Sequence, residues 1–81
     1  MSGAEGRLTA PMPGTVSAVL VREGQAVRAG TTLLVVEAMK MEHAIHAPHA
    51  GVVESIRVEV GQKVGDGAEL VSLTEAPPER G

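Results

Sequence analysis

Ala10-Pro11-Met12-Pro13-Gly14-Thr15-Val16 opens a segment that runs to Glu37. It returns 37 positions later as Ala47-Pro48-His49-Ala50-Gly51-Val52-Val53, in a segment that runs to Thr74. Aligned without gaps, ten of the 28 positions are identical: Ala10/Ala47, Pro11/Pro48, Gly14/Gly51, Val16/Val53, Val21/Val58, Gly24/Gly61, Gln25/Gln62, Val27/Val64, Gly30/Gly67 and Leu33/Leu70. Most of these are turn residues and apolar anchors, the positions that a structural duplication keeps.

Each copy reads as turn, strand, turn, short strand, turn, strand. The β-branched runs Thr15 to Val21 and Val52 to Val60 are bounded by glycine, as strands are. Strict alternation fails inside both runs, where Val16, Val19 and Val21 match Val53, Ile56 and Val58. A step of three cannot keep one face inward on a flat strand. The pattern therefore predicts a bulge near Ser17-Ala18 and again near Glu54-Ser55. Glu23-Gly24, Val60-Gly61, Ala29-Gly30 and Asp66-Gly67 read as turns with glycine at positive φ. Val27 and Val64 stand between turns as single apolar anchors, and Leu33 to Ala38 and Leu70 to Leu73 close the copies as strands. No helical stripe survives without an interrupting Gly or Pro. The expectation is an all-β chain, a flattened sandwich or barrel with a pseudo-twofold axis. Symmetry then places the link from Ala38 to Ala47 at one end and both termini at the other.

The 81 residues suffice for one small domain. Residues 7–74 carry the pattern, and 1–6 and 75–81 read as polar, flexible tails. With no Cys, Phe, Tyr or Trp, neither disulfides nor thiolate metal sites support the fold, and the core must be aliphatic. The missing aromatics and a net charge of −3 argue against a nucleic-acid partner. The longest apolar run, Thr32 to Val36, is far short of a membrane span. The N-terminus lacks a signal-peptide pattern. A cytoplasmic protein is the expectation.

Between the copies lies Glu37-Ala38-Met39-Lys40-Met41-Glu42. Strand-like residues on both sides leave Met39-Lys40 as a two-residue hairpin tip. Met-Lys is poor chemistry for such a turn, which prefers Asn-Gly or similar pairs. A tip that ignores turn preferences is a candidate for another use. Methionines on either side of the lysine offer soft apolar surface suited to transient docking.

This hexapeptide resembles the attachment motif of biotin carboxyl carrier domains, in which a lysine between two methionines is acylated. The resemblance extends from about Leu8 to Thr74 and includes the Ala-Pro-Met-Pro-Gly and Ala-Pro-x-x-Gly turns. It implies a barrel-sandwich hybrid of two four-stranded sheets, with 7–74 as the biotinyl domain and biotin as the cofactor on Lys40. Ala38, Met39 and Met41 are implied as the rest of the attachment motif. Met41-Glu42-His43-Ala44-Ile45-His46-Ala47-Pro48 is similar to the biotinyl domains of methylcrotonoyl-, propionyl- and geranyl-CoA carboxylases. The chain also lacks the insertion before Val27 that many bacterial acetyl-CoA carboxylase carriers have.

The resemblance further implies a carrier that does no catalysis itself. A biotin protein ligase would load Lys40, deprotonating the amine before acylation because a lysine amine is protonated at neutral pH. A biotin carboxylase and a carboxyltransferase would then use the loaded arm in turn, in the cytoplasm or, in a eukaryote, the mitochondrial matrix. The rival readings are a lipoyl carrier and an unmodified binding or structural module. Lipoyl domains usually place Asp or Glu before the lysine and Ala after it, and here both flanks are Met. His43, His46 and His49 do not converge as a metal site, because a strand sends the first two to opposite faces. Glu37 and Glu42 read as solvated carboxylates beside the tip.

Overall fold

The computed structural model describes residues 7–75. They form eight strands and no helix: β1 (Arg7–Thr9), β2 (Gly14–Val19), β3 (Ala26–Val27), β4 (Thr32–Ala38), β5 (Met41–His46), β6 (Gly51–Ile56), β7 (Lys63–Val64) and β8 (Glu69–Glu75). Two antiparallel four-stranded sheets result, ordered β1-β8-β6-β3 and β5-β4-β2-β7. This is the all-β arrangement that the repeat predicts.

The twofold is visible in the register. Within one sheet Leu34 pairs with Ile45 and Val35 with Ala44. In the other, the positions 37 residues away do the same, Val71 with Leu8 and Ser72 with Arg7. The predicted bulges are present, the register shifting between Val16 and Ala18 and between Val53 and Ser55. Each returns an apolar residue to the inside after a step of three, so Val19 and Ile56 pack against the core. Gly24, Gly30, Gly61 and Gly67 all have positive φ, as the turn reading requires. The repeated Gln25 and Gln62 close matching turns, their side-chain carbonyls accepting from the Arg22 and Glu59 amides at 3.1 Å.

One expectation needs correction. The strands end at Val19 and Ile56, short of Val21 and Val60. Val21 and Val58 are buried all the same; apolar periodicity reports burial, and these residues pack inward without ladder partners. Val60, expected inside a strand, is exposed on the loop before β7. Val27 and Val64, the single apolar anchors between turns, lie in the two-residue strands β3 and β7, the short strands of the sequence reading.

Leu33, Leu34, Val36, Leu70 and Val71 are fully buried, with Val16 and Val53 nearly so. Each such side chain stabilises the fold by about 1.5–3 kcal/mol relative to exposure. The core is entirely aliphatic, and no buried side-chain polar atom among the described residues lacks a partner. β8 runs through Glu75, the first residue assigned to a tail. The remainder of both expected tails lies outside the described residues.

Candidate functional site

β4 and β5 are the longest paired ladder, from Thr32↔His46 to Ala38↔Met41. Two residues, Met39 and Lys40, close it. Their φ angles are +54° and +66°, the left-handed geometry that a type I′ turn imposes on both central residues. They are the only non-glycine residues at positive φ among those described. Holding L-residues there costs about 1–2 kcal/mol each, and such strain collects at functional sites. Sequence reading found the unsuitable turn residues but could not read their backbone angles.

The tip is exposed and its base is fixed. Met39 is 84% exposed and Met41 62%, and Lys40 is also exposed. Ala38 faces inward and is buried, so it acts in the motif as a packing residue. Gly14, at the start of β2, makes that packing possible. A Cβ on it would lie 2.5 Å from the Glu37 carbonyl oxygen, 2.8 Å from Val36 Cγ1 and 3.1 Å from Ala38 Cβ. Glycine at this point allows β2 to press against the hairpin base. Its identity in both repeats was the only sequence signal for this contact.

Glu37 and Glu42 are directly paired across the ladder, and both are exposed. Like charges opposite one another oppose pairing slightly. His43 is half-buried opposite Val36, and His46 is exposed opposite Thr32. His49 Nδ1 lies 2.8 Å from the Ala50 carbonyl oxygen. No group of three metal-binding side chains occurs among the described residues.

Arg57–Glu69 is the ion pair found among the described residues, so Lys40 takes no part in one. The surroundings suit a group joined to Nζ by an amide: the amine is in solvent, nothing bridges it, and a rigid ladder supports it. The residues that would flank such a group are Met39 and Met41. The chain has one other lysine, Lys63, which lies in β7.

A family model described as biotin-requiring enzyme matches residues 6–73. The biotin carboxyl carrier protein of acetyl-CoA carboxylase from Solanum lycopersicum is 46% identical over 70 residues, 86% of this chain and 100% of the relative. The mitochondrial methylcrotonoyl-CoA carboxylase subunit alpha of Oryza sativa subsp. japonica is 43% identical over 91% of this chain. The chain spans only 10% of that subunit. Among solved structures, a single-chain, multi-domain long-chain acyl-CoA carboxylase superposes with a TM-score of 0.81 and 41% identity, over 86% of this chain and 7% of that one. The lipoyl domain of the 2-oxoglutarate dehydrogenase complex from Azotobacter vinelandii gives 0.79 and 27% identity, over 88% of this chain and 98% of that domain.

Proposed function

The chain belongs to the biotin–lipoyl family of biotin-requiring enzymes, and from that premise we propose that Lys40 is its point of biotin attachment. It is a biotin carboxyl carrier domain of the acyl-CoA carboxylase type. The backbone alone does not separate biotin from lipoyl carriers, since a lipoyl domain shares the fold. The side chains do: Met39 and Met41 stand where lipoyl domains usually carry an acidic residue and an alanine.

One observation carries the assignment to Lys40. The two residues that close the ladder adopt a strained backbone and project an amine that no carboxylate holds. Biotin, joined to Nζ as an amide, supplies a ureido nitrogen that takes up and gives up a carboxyl group. The chain's own part is mechanical. Ala38 and Gly14 fix the direction of the hairpin. Met39 and Met41 present adaptable apolar surface to whatever docks there. The domain acts as a carrier, and the chemistry lies with a ligase that loads it and with biotin carboxylase and carboxyltransferase partners. A compact, tethered carrier serves both by raising the arm's effective concentration. A methylcrotonoyl-CoA carboxylase is one model for the parent enzyme, on the similarity through β5 and the 43% identity to the Oryza sativa subunit. The proposed compartment is the cytoplasm, or the mitochondrial matrix where the parent enzyme is mitochondrial.

Co-expression with biotin protein ligase, followed by intact-mass measurement, tests this reading. One biotinyl addition is expected, and Lys40→Arg should remove it without changing the far-ultraviolet circular dichroism. A lipoyl addition, an unmodified mass, or biotin persisting in Lys40→Arg would each refute the assignment.

A further inference from the structure

The internal twofold provides a control for reading the surface, because described positions 37 residues apart are structural mates on the two sheets. On the outer face of the β1-β8-β6-β3 sheet, Arg57 and Glu69 form an ion pair, Ser72 donates to Glu54 at 3.0 Å, and Arg7 stands opposite Ser72. Glu23, on the adjoining loop, accepts from the Ile56 amide at 3.0 Å. The mates on the β5-β4-β2-β7 sheet are Leu20 for Arg57, Thr32 for Glu69, Val35 for Ser72, Ser17 for Glu54, Ala44 for Arg7 and Val60 for Glu23. One face carries five charges at these positions and the other carries none; the charges of the second face, Glu37, Glu42 and Lys63, are gathered toward its hairpin end.

The apolar positions form a connected set. Ala18, Val35 and Ala44 lie side by side across β2, β4 and β5, and the Leu20 amide donates to Leu33, the neighbour of Thr32 in β4. Gly61 and Gln62 bond Val16 as Gly24 and Gln25 bond Val53. That match places Val60 beside Val19 as Glu23 lies beside Ile56. Leu20 is 56% exposed and Val60 61%. The four exposed large hydrophobics among the described residues therefore all lie in or beside this sheet, with Met39 and Met41 at its hairpin end and Leu20 and Val60, on the adjoining loops, at the other.

We propose that the apolar end of this face, remote from Glu37, Glu42 and Lys63, is where the enzyme that acylates Lys40 docks, through an apolar surface of its own that covers Leu20 and Val60. The proposal rests on the attachment reading above and extends it to a second contact, remote from the tip. Leu20 lies about 20 Å down the sheet from Lys40 at ~3.3 Å per residue. A standard interface buries about 800 Å² on each partner, a patch about 30 Å across. A footprint with Lys40 at its margin thus reaches Leu20. Recognition needs that reach, because a two-residue tip offers little to distinguish Lys40 from the other exposed lysine, Lys63. Exchange of charged mates for apolar ones is the pattern of a docking core, where charge is depleted.

The twofold also supplies the variant. Leu20→Arg combined with Val60→Glu installs the residues that the same backbone already carries at Arg57 and Glu23, and the introduced carboxylate can accept the Val19 amide. Labelling of the 81-residue chain by biotin protein ligase, with biotin and ATP, is measured against carrier concentration. The expected result is a KM for the carrier raised about tenfold, with kcat and the thermal midpoint unchanged. Leu20→Ser alone should raise KM by about threefold, and Arg57→Leu on the opposite face should leave it unchanged. A KM within twofold of wild type for both Leu20 variants overturns the proposal. So does a wild-type dimer at labelling concentrations that the double variant dissociates, since the face would then belong to a second copy. Wild-type chain that ligase never labels would instead remove the attachment reading itself.

Discussion

The β4–β5 hairpin and the β8–β1 pair repeat one register, over six paired positions in the first and three in the second. Both run antiparallel with the same partners 37 positions apart, and both carry a bulge at the same place, between Thr32 and Leu34 in one and between Leu8 and Thr9 in the other. The first is closed by Met39 and Lys40. Among the described residues the second has no such closure, β8 and β1 being the last and first strands there. A ladder of this register therefore forms without a tight turn. The rungs that β4–β5 shares with β8–β1 consequently do not need Met39 and Lys40, and the backbone strain the two residues carry calls for another reason. Presentation of the lysine supplies one.

Disrupting the base of the closed ladder should have the largest effect on folding. Gly14→Ala puts a methyl within 2.5 Å of the Glu37 carbonyl oxygen, so β2 or the hairpin must move. A loss of about 1–3 kcal/mol is expected, read from urea unfolding followed by circular dichroism, because the chain has no Trp or Tyr. Stability equal to wild type would mean that the close approach of β2 to Ala38 is not maintained in solution.

Relaxing the tip sharpens the comparison from the other side. Asparagine tolerates the left-handed region far better than methionine. Met39→Asn should stabilise the domain by about 0.5–1 kcal/mol while slowing ligase labelling. A variant that is no more stable would show that Met39 carries no strain to release.

The cross-strand carboxylates give the smallest effect. Glu42→Gln removes the like-charge pair with Glu37 and should stabilise by a few tenths of a kcal/mol, ~0.2–0.5 at low salt. The gain should shrink as ionic strength rises. A gain independent of salt would point to a cause other than charge.

Much of this was legible in the chain itself. The duplication, the paired bulges at Ser17-Ala18 and Glu54-Ser55, the four glycine turns and the lysine-bearing hairpin all follow from spacing. They were readable because burial and positive φ restrict residue type at each position. The ends of β2 and β6 were not, since Val21 and Val58 are buried without being paired and periodicity cannot separate the two. Nor was the part played by Gly14, whose meaning depends on Ala38 in a neighbouring strand. The contrast between Leu20 with Val60 and Arg57 with Glu23 was present in the alignment of the two copies. It sits at positions where they differ, and it became interpretable only when the topology put those positions on opposite outer faces.

The two lysines decide the central claim. Peptide mapping by tandem mass spectrometry, after limited labelling with biotin protein ligase, should place biotin on the peptide containing Lys40 and leave Lys63 unmodified. Biotin on Lys63, or divided between the two, would contradict the account.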